Sequence, residues 1–407
     1  MKKSLYLIVF ICLSLMQISI AQKTMSLADC IEAAMQNNIN IKQRDWQVIS
    51  AEIDHRQSRL ARLPDLNGFV SHGINQGRNI DPFTNTYINQ DITFANYGLT
   101  SSLLLFNGLS QYHSIRRNAL NLEASQLETQ QEKDNIRLSV VLQYLQVLST
   151  VDQIQILRNQ ISTTEAQLKR LETLDRDGAI SPVDISDLRG QFATEKLNLL
   201  DAENAQQNAA ISLFQLMGIA YDRTVTFSRS DFDESPIPNL MTTEELLKRS
   251  VDNLALIKAA QLRTASAGRG LKAAKAGLSP SLSFNAGIFS NISSAARRDI
   301  FLGDQTVSTS DYVIFEGTQL PVFKTFPGFN SEKIPYLDQF SNNYSTTFSL
   351  NLQIPILNGW QTRRQIELAS LQEQQAIWIE DNTRIQLQQL VEQALSLIHI
   401  SEPTRPY

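Results

Sequence analysis

The side chains that could carry out bond chemistry are few in this sequence, and they form no recognisable group. The four histidines are spread along the chain, at His55, His72, His113 and His399. A metal site needs ligands at short, characteristic spacings, and these histidines do not have them. The sequence also contains no glycine-rich phosphate loop and no nucleophile elbow. We therefore expect no catalytic, cofactor-binding or metal-binding residue, and we expect that the protein is not an enzyme.

A row of polar, uncharged side chains suggests a different role, which is contact with solutes. Such side chains neither bind a solute strongly nor repel it through charge. These side chains recur at helical spacing: Ser139, Gln143, Gln146, Thr150 and Gln153. Two apolar rows lie beside them at the same period. The first consists of Leu138, Val141, Leu145 and Leu148, and the second of Val140, Tyr144, Val147, Val151 and Ile154. A simple coiled coil needs one apolar seam, so two rows predict neighbours on both sides, as in a large bundle or in the wall of a cylinder.

The segment that holds these rows predicts a very long helix. No glycine and no proline occur from Leu109 to Asp177, and such a helix would reach roughly 100 Å at about 1.5 Å per residue. A helix of that length does not fit inside a compact domain. It is expected to end at Asp177-Gly178-Ala179, where the glycine suits a left-handed cap. Pro182 suits the first turn of a returning helix, which runs to about Met217.

The chain repeats one pattern twice. Each copy opens with an amphipathic helix, reaches a proline-marked junction and later passes an Asn-Gly pair. The matching landmarks are Ser26–Ile31 and Thr242–Leu247, Leu63–Leu66 and Ser279–Leu282, and Phe106–Leu109 and Leu357–Trp360. The last pair is further apart than the first two, so the second copy carries an insertion. We expect a first repeat over 22–218, a linker over 219–241 and a second repeat over 242–394.

Between these landmarks the apolar period changes from 3.6 to 2, which predicts strands. In the clearest run, from Tyr344 to Ile356, one face is apolar and the other is small, polar and uncharged. Its length suits a tilted strand that crosses a bilayer, about 9 to 11 residues. One such strand alone would favour a half-buried sheet in a soluble domain, but four strands in two repeated hairpins favour a membrane barrel. The hairpins are expected to be joined by solvent-facing loops, over Gly77–Asn96 and about Ser290–Asn343.

The first residues predict export from the cytoplasm. Two lysines precede an apolar run from Leu5 to Met16, and Ser19-Ile20-Ala21 has the small residues of a cleavage site. Residues 1–21 are therefore expected to be a signal peptide, since the run is shorter than the about 20 residues of a spanning helix. A lipoprotein signal is disfavoured because Ile11, which is not small, precedes Cys12.

The composition argues against nucleic-acid binding and against a structure held by disulfides. The chain has 41 acidic and 36 basic residues and no basic block, so nucleic-acid binding is not expected. After removal of the signal peptide Cys30 is the only cysteine, which excludes an intramolecular disulfide. The spacing of Cys30 from Leu27, Ile31 and Ala34 predicts a helix on which it is a small buried apolar residue.

In the order of its elements the chain resembles the TolC-like outer-membrane efflux proteins, over nearly its whole mature length. The resemblance depends on the Asn37-Asn38 opening, the junctions at Pro64 and Pro280, and the strand exits Phe106-Asn107-Gly108 and Leu357-Asn358-Gly359. It implies a mixed fold, in which a long-helix bundle is combined with membrane β-strands. It also implies a homotrimer, whose twelve-stranded β-barrel is continued by a periplasmic α-helical barrel.

The resemblance further implies a location in the outer membrane, with an extension into the periplasm. The function implied is a passive exit duct for small molecules, which an inner-membrane transporter delivers through a periplasmic adaptor protein. In such a duct the polar row, together with Asn351 and Gln353, is expected to face the lumen, and outer-membrane lipid to cover the apolar face of the strands. The tip at Asp177, Gly178 and Ala179 aligns with the adaptor contact. The alternatives are an exit duct for type I protein secretion and a periplasmic coiled-coil scaffold without a pore.

The last residues are expected not to belong to the native protein. Residues 395–407 resemble a translated sequencing adapter, and they interrupt a helix that the first repeat predicts should continue. The second repeat is therefore expected to be truncated. The alternative is a natural short C-terminus, which would leave an apolar helix face without its partner.

Overall fold

Helices and strands follow one another in the order that the two repeats predict. The computed structural model describes residues 24–80, 85–176, 182–229 and 243–401. The first repeat contains β1 (Thr24–Met25), α1 (Leu27–Asn37), α2 (Ile39–Leu60), β2 (Asn67–Asn75), β3 (Arg78–Ile80), β4 (Tyr87–Asn89), β5 (Ile92–Asn107), α3 (Ser110–Arg176), α4 (Pro182–Met217) and β6 (Thr226–Phe227). The second contains α5 (Thr243–Asn253), α6 (Ala255–Lys275), β7 (Ser281–Ser293), β8 (Arg297–Phe315), β9 (Thr318–Lys333), α7 (Tyr336–Asn342), β10 (Tyr344–Gln353) and α8 (Gln361–Ser401). The long helix and its returning partner are confirmed as α3 and α4.

The chain divides into two compact units, and each unit takes segments from both repeats. The helical unit consists of Met1–Asp54, Asn118–Ser266 and Gln374–Tyr407, and the strand unit of His55–Arg117 and Ala267–Glu373. Neither unit is continuous in sequence, so neither repeat folds as a separate domain. In the described part of the chain, none of the helices combines the length and the apolar character that a membrane crossing requires.

The helical unit begins with a hydrogen-bonded cap and an asparagine that divides two helices. The Ser26 hydroxyl accepts a hydrogen bond from the Asp29 N–H at 3.2 Å, and the Asp29 carboxylate accepts one from the Ser26 N–H at 2.9 Å. This capping box satisfies donors that a helix start leaves free. Asn38 then separates α1 from α2, and its amide donates to the Leu216 carbonyl at 2.8 Å while its oxygen accepts from the Asn40 N–H at 2.8 Å.

Three residues of the second apolar row of α3 lie in the core of the helical unit. Val140, Tyr144 and Val147 are fully buried. They pack with side chains of α1 and α4: Cys30, Leu213, Phe214 and Met217. From the first apolar row, Leu138 remains 60% exposed. Val151 of the second row is 46% exposed as well. Each row is therefore covered only in part within the chain, and each leaves apolar side chains for a neighbour.

The largest sheet of the strand unit is a four-stranded antiparallel sheet with the strand order β10-β7-β5-β2. Ser281 at the start of β7 lies opposite Asn107 at the end of β5 and opposite Gln353 at the end of β10. The two repeats are thus joined through the β5–β7 pair. None of the four strands contains an aspartate, glutamate, lysine or arginine. On a face that contacts lipid, an arginine or lysine near the membrane midplane would cost about 2 to 4 kcal/mol, so this absence of charge is compatible with strands in a membrane.

The two segments expected to be loops contain regular structure, so that part of the sequence interpretation is wrong. In the first segment β3 pairs with β4, and β5 already begins at Ile92. In the second, β8 and β9 form a long two-stranded ribbon, which α7 follows. The prolines of the ribbon, Pro321 and Pro327, are compatible with strands because each strand of a two-stranded ribbon has an unpaired edge.

Candidate functional site

The sheet has one apolar and one polar face, as the period of two predicts. Directly paired residues share a face, and on the apolar face Leu350 pairs with Phe284, which also pairs with Leu103. On the polar face Asn351 pairs with Ser283, and Gln353 pairs with Ser281. Leu350 and Leu352 are 67% and 59% exposed in the single chain. Side chains of this size are expected to be covered by lipid or by another apolar surface.

Two phenylalanines interrupt the polar face, and residue spacing alone did not indicate their role. Phe69 lies directly opposite Gly98, and Phe289 occupies the next position across the sheet. The two rings lie 6.3 Å apart between centroids. A Cβ atom on Gly98 would come within 2.3 Å of the Phe69 ring. The ring therefore packs directly on the backbone of Gly98, which has no side chain of its own to cover it. This arrangement stabilises glycine in strands, and the pairing register is needed to recognise it.

The five helical residues expected to form a polar row do not share one environment. The Gln143 amide donates to the Ala209 carbonyl of α4 at 3.0 Å. Thr150 is only 4% exposed, and its hydroxyl donates to the Val147 carbonyl at 2.8 Å. Ser139 is half-buried, whereas Gln146 and Gln153 are exposed. Gln146 and Gln153 are therefore the members of the row with side chains free to contact solutes.

The expected tip, Asp177, Gly178 and Ala179, lies outside the described residues. On either side of it α3 ends at Arg176 and α4 begins at Pro182. The strand residues Asn351 and Gln353, which are expected to face a lumen, are both described, and both are exposed. Within the described ranges, no group of three or more histidine, cysteine, aspartate or glutamate side chains has the geometry of a metal site.

The strand exits have the same backbone conformation in both repeats. Gly108 and Leu109 have φ values of 65° and 69°, and Gly359 and Trp360 have 59° and 63°. The two successive left-handed residues are the glycine and the residue after it, so the preceding Asn107 and Asn358 do not take part in the left-handed pair. Leu109 and Trp360 adopt this conformation without being glycine, which is uncommon. The repeated motif thus specifies a sharp change of direction where a strand precedes a helix.

Two polar clusters in the helical unit, one half-buried and one buried, are additional features that residue spacing did not indicate. The Arg263 guanidinium donates to both carboxylate oxygens of Glu128, at 2.8 and 2.9 Å, and these hydrogen bonds raise the pKa of Arg263. Glu195, on α4, accepts hydrogen bonds from Gln160 and Gln191 at 3.1 and 2.9 Å. Burial acts to raise the pKa of Glu195, but its hydrogen bonds outweigh this and hold the pKa below its ordinary value. Both clusters join separate helices by polar contacts.

Comparison with known proteins identifies relatives of this arrangement. Residues 30–219 match the family described as outer membrane efflux protein. A relative, the pyoverdine export outer membrane protein OpmQ of Pseudomonas putida, is 27% identical over 232 residues, which are 56% of this chain and 46% of that protein. The chain thus spans about half the length of this curated relative.

Solved structures confirm the fold class. The crystal structure of CusC matches with a TM-score of 0.70 at 17% identity, over 91% of this chain and 75% of that chain. The outer membrane protein VceC of Vibrio cholerae matches with a TM-score of 0.65 at 16% identity, over 88% of this chain and 75% of that chain. The combination of long helices and a four-stranded sheet in two repeats is therefore a known architecture.

Proposed function

Because this chain belongs to the TolC-like outer-membrane efflux protein family, we propose that it is one subunit of an outer-membrane channel, which extends into the periplasm and through which solutes leave passively. The observation that carries the proposal is the sheet itself. Its four strands are uncharged, and one face is apolar while the other is polar. A strand with these faces is suited to stand between lipid and an aqueous lumen.

The edges of the sheet support assembly with further copies. Within the described residues β10 and β2 are the outermost strands of this sheet, so each presents backbone N–H and C=O groups without a strand partner. Such groups are not tolerated in the hydrocarbon region of a membrane. A homotrimer that contributes four strands from each chain removes all edges in a closed barrel of twelve. The exposed side chain of Leu138 on α3 belongs to the same assembly, as part of the contact with a neighbouring subunit.

The proposed channel performs no bond chemistry. Family and fold are those of channel proteins, and the protein is accordingly proposed to have no enzymatic activity and to need no cofactor. Energy and cargo come from an inner-membrane transporter, which is connected through a periplasmic adaptor protein. The name of OpmQ, a pyoverdine export protein, supports a small-molecule cargo. Gln146 and Gln153 on α3, with Asn351 and Gln353 on β10, are the proposed lumen residues.

The adaptor contact is proposed at Asp177, Gly178 and Ala179. The support is the position of these residues in the sequence, between the end of α3 at Arg176 and the start of α4 at Pro182. Ala179→Asp introduces a charge without altering the glycine, so it is expected to lower efflux while the assembled protein persists. Asp175→Asn, close in sequence but outside the proposed contact, is the control. Full efflux by an assembled Ala179→Asp protein would show that the contact is elsewhere.

The proposed function is tested by placing one charge on either face of β10. Leu352→Arg puts arginine on the apolar face, where it is expected to cost about 2 to 4 kcal/mol near the middle of the membrane. Asn351→Arg puts the same side chain on the polar face, where it is expected to cost little. The measurement is the yield of assembled protein in the outer-membrane fraction. Equal yields of the two variants would contradict the assignment of lipid and lumen faces.

A further inference from the structure

The strand unit places four junctions between helix and strand at one end of its sheet. Ser281 lies opposite Asn107 and Gln353, so the junctions α6–β7, β5–α3 and β10–α8 adjoin one another. The fourth, α2–β2, belongs to the same end because Asp65 donates its N–H to the Ser102 carbonyl of β5 at 3.1 Å. Close contacts confirm the proximity of the helices, since the Ser110 hydroxyl of α3 donates to the Ala273 carbonyl of α6 at 3.1 Å.

Exposed basic side chains surround this end of the sheet. We call them the basic collar: Arg59, Arg62, Arg116, Lys272, Lys275 and Arg363. All six side chains are exposed, and among the described residues none of the six forms a salt bridge. The four junction segments, 55–66, 108–117, 267–280 and 355–364, contain a single acidic residue, Asp65. The Asp65 carboxylate accepts hydrogen bonds from the Ser102 N–H at 2.5 Å and from Asn67 at 3.2 Å. Its single negative charge offsets only a small part of the positive charge of the collar.

The opposite end of the sheet has a different charge. The segments 76–91 and 294–343 contain five basic residues, Arg78, Arg297, Arg298, Lys324 and Lys333. They contain more acidic residues than basic ones: Asp81, Asp91, Asp299, Asp304, Asp311, Glu316, Glu332 and Asp338. The four strands between the two ends carry no charge. The net positive charge is therefore found on one side of the uncharged band only, and the segments at the other end are net negative.

Apolar and aromatic side chains accompany the collar. Trp360 is 60% exposed, and the Arg363 guanidinium lies 4.1 Å from the centre of its ring. Arg116 lies 5.9 Å from the centre of the Tyr112 ring. Leu63 is 63% exposed beside Arg62. Tryptophan and tyrosine are enriched where a membrane meets water, and long basic side chains can extend from apolar surface towards headgroups. This combination matches a lipid, which has an apolar chain next to a charged headgroup, better than it matches free phosphate.

From the charge, the exposure and this apolar surrounding, we propose that the basic collar binds anionic phospholipid headgroups of the membrane leaflet that faces the helices. The inference rests on the proposed function, because it requires the uncharged strands to cross the membrane. It goes beyond that function by giving the protein a preferred lipid partner, of the phosphatidylglycerol or cardiolipin class. Attraction to an anionic surface is on the order of fivefold in affinity for each basic residue close to it.

The test compares equal charge changes at the two ends of the sheet. The collar variant is Arg59→Gln, Arg62→Gln and Lys275→Gln, and the control variant is Arg297→Gln, Arg298→Gln and Lys324→Gln. Each assembled full-length protein is mixed with equal amounts of cardiolipin and phosphatidylcholine, and the retained lipids are counted by native mass spectrometry. We expect the wild type and the control to retain cardiolipin preferentially, and the collar variant to lose that preference. Arg59→Lys with Arg62→Lys is expected to keep it, because the charge is unchanged.

Several results would overturn the proposal. They are an absence of lipid preference in the wild type, an equal preference in the collar variant, and displacement of cardiolipin by millimolar inorganic phosphate, which would identify a free-anion site. Binding to isolated peptidoglycan that depends on the collar, with lipid preference unchanged, would assign the collar to that polymer instead. Fractionation of the wild type separates this inference from the proposed function. A protein absent from the outer membrane contradicts the function, whereas one that is present without lipid preference contradicts only the collar.

Discussion

The two strand exits allow one substitution to be compared in two environments. Gly108 and Gly359 both have a left-handed backbone, with φ of 65° and 59°, so alanine at either position carries a conformational cost of about 1 to 2 kcal/mol. Only Gly108 is enclosed. A Cβ atom there would lie 2.4 Å from the Ser279 Cβ and 2.7 Å from the Ala276 carbonyl oxygen, whereas Gly359 has nothing within 4 Å. Because overpacking adds about 1 to 3 kcal/mol, we expect Gly108→Ala to be less stable than Gly359→Ala by that amount.

The assay is the temperature at which the purified assembled protein dissociates in detergent, followed on gels that separate assembled from dissociated chains. Leu109→Gly and Trp360→Gly are the companion variants. Each variant removes the side chain of a residue that has a left-handed backbone. Comparison of the two shows whether that backbone conformation strains both turns equally. Equal losses of stability in Gly108→Ala and Gly359→Ala would refute the argument from enclosure. A loss of stability in Gly108→Ala that is smaller than the loss in Gly359→Ala would also refute it, because it would show that the backbone near Ser279 moves away from the added Cβ atom at little cost.

Three further predictions concern the helical unit. Ser26→Ala removes the cap of α1 and is expected to lower stability by about 0.5 to 2 kcal/mol in denaturant unfolding, with Ser26→Thr as the control. The backbone and side-chain hydrogen bonds from Ser26 lower the pKa of Asp29. The contribution of the Asp29 carboxylate to stability is therefore present above the ordinary pKa of 3.8 and is lost as pH falls through the lowered pKa. The free energies of unfolding of the wild type and of Asp29→Asn should consequently become equal in acid. Burial, with a smaller effect of Asp29, raises the pKa of Cys30 to about 11, so iodoacetamide should label Cys30 at pH 8 only after unfolding; rapid labelling of the folded protein would contradict its burial.

The features that the sequence predicts well are those in which a local period determines the structure. The alternation from Tyr344 onwards predicted β10, and the uninterrupted segment after Leu109 predicted α3, because each pattern extends over many residues. The β8–β9 ribbon could not be predicted in this way. Its prolines and glycines are typical of loops, and its strands are compatible with them only because each has one unpaired edge.

Features that depend on contacts between residues far apart in the chain could not be predicted from the sequence either. The polar row of α3 was expected to be uniform, but Gln143 meets α4 through the Ala209 carbonyl, and no spacing within α3 reveals that partner. The Arg263–Glu128 pair joins residues far apart in sequence. The position of Phe69 over Gly98 likewise follows from the register between β2 and β5. In each case the sequence contains the residues that interact, but only the tertiary structure shows which of them are in contact.

The pairing of β5 with β7 determines how slowly the sheet can form. Asn107 and Ser281 are adjacent in the sheet, but the chain between them includes α3, α4, α5 and α6. Closing a flexible loop of that length carries an entropy cost of roughly 4 to 5 kcal/mol, which the local hairpin β2–β5 avoids. We therefore expect that hairpin to form early and the β5–β7 pair to wait until the intervening helices have ordered and shortened the effective loop. A chain with disrupted helices should consequently leave its strands unpaired for longer, even though no strand residue has changed.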